Sequence, residues 1–322
     1  MLKITRDLVY TIARHSNWRG ESIAVWLRKE KVYAGTKDWI KFLQLFLLGL
    51  GGSFIVAGVM FFFAYNWADM HKFLKLGLLQ ALLLIVTLAA VFSNRSKTVK
   101  NVLLTASVML TGVMFAVFGQ IYQTGANAYD FFLGWTMSVV LWVVFSRFQP
   151  LWLILLALIN TTFILYNTQV VTGMPFNYVV NILFGINAVA TIVWEVLAWR
   201  KIIRGTHKWL PRITALAAIV PITMSMVVAM YDNFGVDHGL FFMLAAVTYS
   251  AGIWHGLRTR DLFYLSVIPF SIIIVVAAGI VRLAGSDPMV IFLVASLFVI
   301  GSITLLIRNI IHINRKWHGT VQ

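Results

Sequence analysis

The stretch FFFAYNWADMHKFLK, residues 61–75, places Asn66, Asp69, His71 and Lys75 directly after three phenylalanines. A carboxylate, an imidazole, an amide and an ammonium group together offer a polar ligand both donors and acceptors. His71 and Lys75 are four apart and share a face if the chain is helical there. A second set lies in FGQIYQTGANAYDFFLGW, residues 118–135, as Gln120, Tyr122, Gln123, Asn127 and Asp130. From Gln120 through Gln123 and Asn127 to Asp130 the steps are three, four and three. That spacing makes one helical face, provided the backbone stays helical through Gly125. Arg282, close in sequence to Asp287, could supply an anion-binding charge or extend to the water line.

Each set also has a plainer reading. Tyr65 and Trp67 are common interfacial anchors, so part of the first stretch is an aromatic belt. Asp69, His71 and Lys75 could form a solvated loop with a snorkelling lysine. The glutamines could hydrogen-bond between helices. Glu195, between Trp194 and Trp199, can reach water or pair with Arg200 or Lys201. Asn160, Asn181 and Asn187 read as helix-packing contacts. No HExxH or related zinc spacing occurs, and seven scattered histidines do not form a ligand set. With no cysteine, disulfides, thiolate catalysis and cysteine-ligated metals are excluded. No nucleotide loop or nucleophile–base pairing is visible, so no catalytic residue, metal or cofactor is assigned.

The elements that position these groups follow from composition. Apolar residues make up 60% of the 322 and charged residues 11%, against roughly 45–50% and about 25% in soluble domains. Such a surface belongs in lipid. A span needs about 20 mostly apolar residues, and the sequence predicts ten: 41–65, 73–93, 101–121, 129–147, 150–166, 177–199, 210–231, 239–257, 262–283 and 289–311. All should be helical, because a lone strand in lipid leaves its backbone unpaired. The fifth is short, and the tight junction at Gln149-Pro150 makes the fourth and fifth a close hairpin. Pro221 and Pro269 fall inside spans and should kink them.

The fold class is therefore an all-α polytopic membrane protein. Residues 1–40 form an amphipathic cytoplasmic or interfacial leader, 41–313 the ten-helix domain, and 314–322 a cytoplasmic tail. In the leader, TRDLVYTIARHSNW carries a stripe of Leu8, Val9, Ile12 and Ala13, and GESIAVWLRKEKV a shorter one of Ile23, Val25, Trp26 and Leu27. No cleavable secretory signal is expected, so the first apolar run directs insertion.

Of 26 Lys and Arg, 23 fall on one side of this topology, leaving Lys72, Lys75 and Arg282 on the other. The positive-inside rule then puts both termini in the cytoplasm of an inner membrane. The net charge of +15 is explained by topology and by anionic lipid at the cytoplasmic face, without nucleic acid. Both polar sets lie at the outer depth. Because consecutive hairpins are usually neighbours, the sets are expected to face one another.

FFFAYNWADMHKFLK and GQIYQTGANAYDFFLGW, after a tryptophan-containing amphipathic leader, resemble the predicted bacterial membrane proteins of domain-of-unknown-function family 2157. The resemblance is closest over roughly residues 1–145 and implies a multi-spanning bacterial inner-membrane protein. It brings no catalytic residues with it. The leading functional expectation is binding or passage of a small polar solute or lipid headgroup through an outward-facing polar vestibule. An alternative is a scaffold or accessory subunit docking an envelope protein. An intramembrane transferase on lipid-linked substrates lacks a recognisable general base.

Overall fold

The computed structural model describes residues 20–29, 35–65, 70–94, 96–122, 125, 127–146, 148–200, 208–231, 236–283 and 288–318. Among these residues there is no strand, and eleven α-helices follow in order. They are α1 (Gly20–Lys29), α2 (Thr36–Tyr65), α3 (Lys72–Phe92), α4 (Lys97–Tyr122), α5 (Ala128–Ser146) and α6 (Gln149–Tyr166). After a π-helical turn at Asn167–Val171 come α7 (Phe176–Trp199), α8 (Trp209–Tyr231), α9 (Val236–Thr259), α10 (Leu262–Leu283) and α11 (Pro288–His318). Nine stretches among the described residues are long and apolar enough to cross a membrane, and Ala128–Val144 is a shorter apolar one. The protein is an all-α polytopic membrane protein.

The shortest apolar helix is thus the fourth predicted span, and the fifth is longer than its apolar run. The polar triplet Asn167-Thr168-Gln169 reads as an end, yet the backbone stays helical and the span reaches Val171. Thr172, at φ 33°, closes the turn by donating its N–H to Asn167 O at 3.2 Å.

The described residues fall into two compact units divided between Val117 and Phe118. In the first, α1 is a short amphipathic helix. Leu27 is buried, Ile23 and Trp26 are half-buried, and Val25 points outward. The inward stripe is therefore 23, 26 and 27, the i, i+3, i+4 set of a helix, and Val25 does not belong to it. The stripe at Leu8–Ala13 lies outside the described residues. Helix α2 begins before the apolar run because Asp38 caps it, its carboxylate accepting the Gly35 N–H at 2.9 Å. Its 30 residues rise about 45 Å, more than the roughly 30 Å hydrocarbon core, and none of its described side chains is buried. A helix apolar all round, with no buried face, has lipid as its natural solvent. Helices α3 and α4 are joined by Thr87 Oγ1, which donates to Ser107 Oγ at 3.3 Å.

The second unit is organised around α8, which packs against α6, α7, α9 and α10. Its buried face is rich in small residues, among them Ala215, Ala218, Ser225 and Ala229, which let backbones approach closely where lipid provides no hydrophobic drive between helices. With Phe184, Ile219, Ile222, Ala245, Tyr249, Tyr264 and Ile268, the first two of these form the core. Helices α8 and α10 run on through Pro221 and Pro269, each proline removing one rung of the ladder. Helix α9 meets α10 along Gly252 and Gly256. A Cβ on Gly252 would collide with Ile268 Cδ1, and one on Gly256 would come within 3.0 Å of Tyr264 Cβ. The expected α5–α6 hairpin is present, pinned by Thr136 and Thr162, whose hydroxyls lie 3.2 Å apart.

Candidate functional site

In the first polar set, Asn66 and Asp69 lie outside the described residues. His71 is the N-cap of α3, with extended backbone and Nδ1 accepting from Phe73 N–H at 3.4 Å. Its carbonyl receives the N–H groups of Leu74 and Lys75 at 2.9 and 3.1 Å. Histidine here does what Ser or Asp usually does at a helix start, satisfying a donor that the first turn leaves over. Lys75 is only 7% exposed, so it is not a lysine reaching to the water line. Lys72, by contrast, lies over the Phe73 ring at 5.4 Å.

The second set does not form one continuous face. Helix α4 ends at Tyr122 and α5 begins at Ala128, because Gly125 takes φ +64°, a left-handed conformation cheap only without a Cβ. Asp130 caps the start of α5. Its Oδ2 accepts the Asn127 N–H at 3.1 Å, and its own N–H donates to Asn127 O at 3.1 Å. A carboxylate in the first turn also suits the positive end of the helix. Gln120 and Tyr122 are exposed, with the Tyr122 and Phe118 rings 4.6 Å apart. Gln123 lies outside the described residues. Arg282 is exposed in the last turn of α10, and Asp287 lies outside the described residues.

The structure adds polar groups to this end of the second unit. Gln169 Oε1 accepts the Tyr129 N–H at 3.0 Å, and the Tyr129 and Tyr166 rings are 5.3 Å apart. The π-helical turn therefore lies beside the start of α5. Just beyond it, at the start of α7, Asn181 Nδ2 donates to Asn177 O at 2.7 Å and to Ser225 Oγ at 2.6 Å, and Ser225 Oγ donates to Asn177 Oδ1 at 3.0 Å. Asn177 and Ser225 are buried. Asn177 Nδ2 and Asn181 Oδ1, one donor and one acceptor, have no protein partner among the described residues. Of these residues the sequence singles out Asn181 alone, as a packing contact. Its four-residue spacing from Asn177 could have signalled a shared face.

Further polar contacts hold the unit together. Asn160 and Asn187 exchange amide hydrogen bonds at 3.2 and 2.8 Å across α6 and α7. Thr223 bonds Tyr249 at 3.0 Å and also Ser271, and Tyr249 lies 2.5 Å from Ser271, joining α8, α9 and α10. At the other end, Arg212 Nη2 reaches Asp261 Oδ1 and Oδ2 at 3.0 and 3.1 Å, while Asp261 Oδ1 caps α10 by accepting the Phe263 N–H at 3.1 Å. Glu195 has a partner that its sequence neighbours did not indicate, with its Oε1 3.7 Å from His255 Nε2 on α9. Among the described residues no cluster of three or more acidic or histidine side chains could hold a metal ion.

The polar motifs fall within a segment that matches a known family. Residues 27–152 match the model of a family described as Predicted membrane protein (DUF2157). The matched segment holds both sequence-predicted polar sets and ends at the start of α6. Arg282 and the α7–α8 amide cluster lie beyond it. No curated protein and no solved structure matches the chain.

Proposed function

We propose that this is a bacterial inner-membrane protein of ten traversals, with both termini cytoplasmic, that binds or passes a small polar solute or lipid headgroup at an outward-facing polar vestibule. The orientation follows from the bias of 23 basic residues to three. The observation that carries the reading is a set of left-over groups among the described residues: Asn177 Nδ2 and Asn181 Oδ1, buried near one end of α7, and Asn167 Oδ1 in the π-helical turn. Unpaired polar groups inside a membrane protein are costly and tend to mark ligand sites. A neutral molecule with one acceptor and one donor, such as a hydroxyl or an amide, has the chemistry to complete the two on α7. Asn127, Asp130 and Gln169 border the same end of the unit, with Gln120, Tyr122, Gln123 and Arg282 as further contributors. Separately, Asn66, Asp69, His71 and Lys75 of the first unit form a second polar group whose chemistry suits a headgroup.

The test is thermal unfolding of the purified protein against a panel of small alcohols, amides and headgroup analogues. A ligand at about 100 times its Kd adds about 2.7 kcal/mol, which is a shift of several degrees for a domain of this size. At least one compound should stabilise the native chain and not the Asn181→Leu variant. Stabilisation by none, together with a stoichiometric envelope protein on purification, would favour the docking-scaffold alternative.

A further inference from the structure

A groove of about 630 Å³ opens between α6, α7 and α8, well within the roughly 300–1,000 Å³ of ligand clefts. Its lining runs along α7 from Ile182 to Leu197 and along α6 from Trp152 to Ile159, with Leu210 and Thr214 of α8 at the back. The hydroxyl of Thr214, the one hydroxyl on its lining, is already committed to Pro211 O at 3.1 Å. The groove therefore has little to offer a polar solute. Val189 and Val193, on its α7 wall, are exposed, so the groove is open along its length to whatever surrounds the helices. In a membrane protein, that is hydrocarbon.

The dimensions narrow the occupant. From Ile182 to Leu197 the helix rises about 22 Å, somewhat more than the roughly 15 Å of one leaflet's hydrocarbon. At the Leu197 end, Trp152 and Trp194 meet edge to face at 6.4 Å, and tryptophan is enriched at the membrane interface. The stripe 189, 193, 197 continues with the next turn to Arg200, exposed at the C-terminus of α7. The connection that follows adds Lys201 and Arg204 in sequence. We propose that this groove is a binding site for one acyl chain of an anionic phospholipid, with the headgroup at the Arg200 end. Gly185 keeps it open. The residue lines the groove, and a Cβ built there meets nothing within 4 Å, so a larger side chain would enter the groove without striking the backbone.

The experiment is native mass spectrometry of the full-length protein, delipidated in mild detergent and exposed to equal amounts of phosphatidylglycerol and phosphatidylcholine. One retained lipid is expected, with phosphatidylglycerol favoured about five-fold, the effect of roughly one basic residue near a membrane surface. Gly185→Leu should abolish retention. Val189→Trp, at an exposed position on the groove wall, should do the same and serves if the leucine variant is poorly folded. Arg200→Gln should keep a lipid but lose the preference. Retention unchanged in both groove variants would overturn the proposal, as would equal retention of the two lipids by the native chain. A lipid-free dimer dispersed by Gly185→Leu would also overturn it, by assigning the groove to a second copy of the chain.

Discussion

Asn160 and Asn187 show how single polar residues act in this protein. Each amide donates to the other and also to a carbonyl one turn back, Leu156 O at 2.8 Å for Asn160 and Leu183 O at 2.7 Å for Asn187. The pair is closed on itself, so it contributes to helix association and offers nothing to a ligand. Asn187→Ala would leave Asn160 Oδ1 without its partner in a buried seam. The expected loss is about 1–2 kcal/mol, above the average of about 0.6 kcal/mol for interhelical hydrogen bonds in membranes, because a polar atom is left unsatisfied. Asn160→Leu combined with Asn187→Leu should cost less than Asn187→Ala alone, and chemical unfolding of the three variants in detergent would establish the order. The sequence justified reading these residues as packing contacts. It could not separate them from Asn181, which has the same residue type and the same four-residue spacing to a backbone acceptor, or from Asn177, whose amide nitrogen finds no such acceptor. The difference lies in what α8 presents opposite, which is Ser225, too short to complete both amides.

At the scale of elements, the α8–α9–α10 assembly depends on close approach and on one capped turn. Gly252→Val should lower stability by about 1–3 kcal/mol, since overpacking a close contact displaces its neighbours, and Ile268 is itself buried. Gly301→Ala is the control: a Cβ there meets nothing within 4 Å, and helix propensity predicts a gain of up to about 1 kcal/mol. The turn from α9 to α10 places Arg260 at φ 50° and Asp261 at the N-cap, 4% exposed and gripped by Arg212. Asp261→Ala removes the cap as well as the ion pair and should cost about 1 kcal/mol more than Asp261→Asn, which can still cap. Thermal midpoints of the two variants measure that difference. The existence of these helices was legible because lipid-spanning segments announce themselves by apolar length. Their ends were less so. Asp38 starts α2 at Thr36, and backbone hydrogen bonding carries the α6 span through Asn167 to Val171, neither of which alters the apolar run that a sequence reading measures.

For the whole molecule, orientation is the property most directly open to test. Reporter fusions at residues 97, 205 and 259 should read cytoplasmic, and those at 125, 171 and 235 periplasmic, because short-loop Lys and Arg set topology. A periplasmic signal at 205 would reverse the assignment of every later loop. Composition and residue order determined that this chain is a helical membrane protein and where its apolar stretches lie. The physical reason is that hydrocarbon forbids an unpaired backbone and penalises charge, so the solvent writes itself into residue order. How the polar residues are paired was decided only by packing. Asp130 became a cap once Gly125 broke the helix, and Lys75 proved buried. Glu195 found His255 on a helix some sixty residues away in sequence. The left-over amide atoms at Asn177 and Asn181 arose from contact between α7 and α8. Hydrogen-bond satisfaction is a property of three-dimensional neighbours, and residue order does not contain it until the helices are in place.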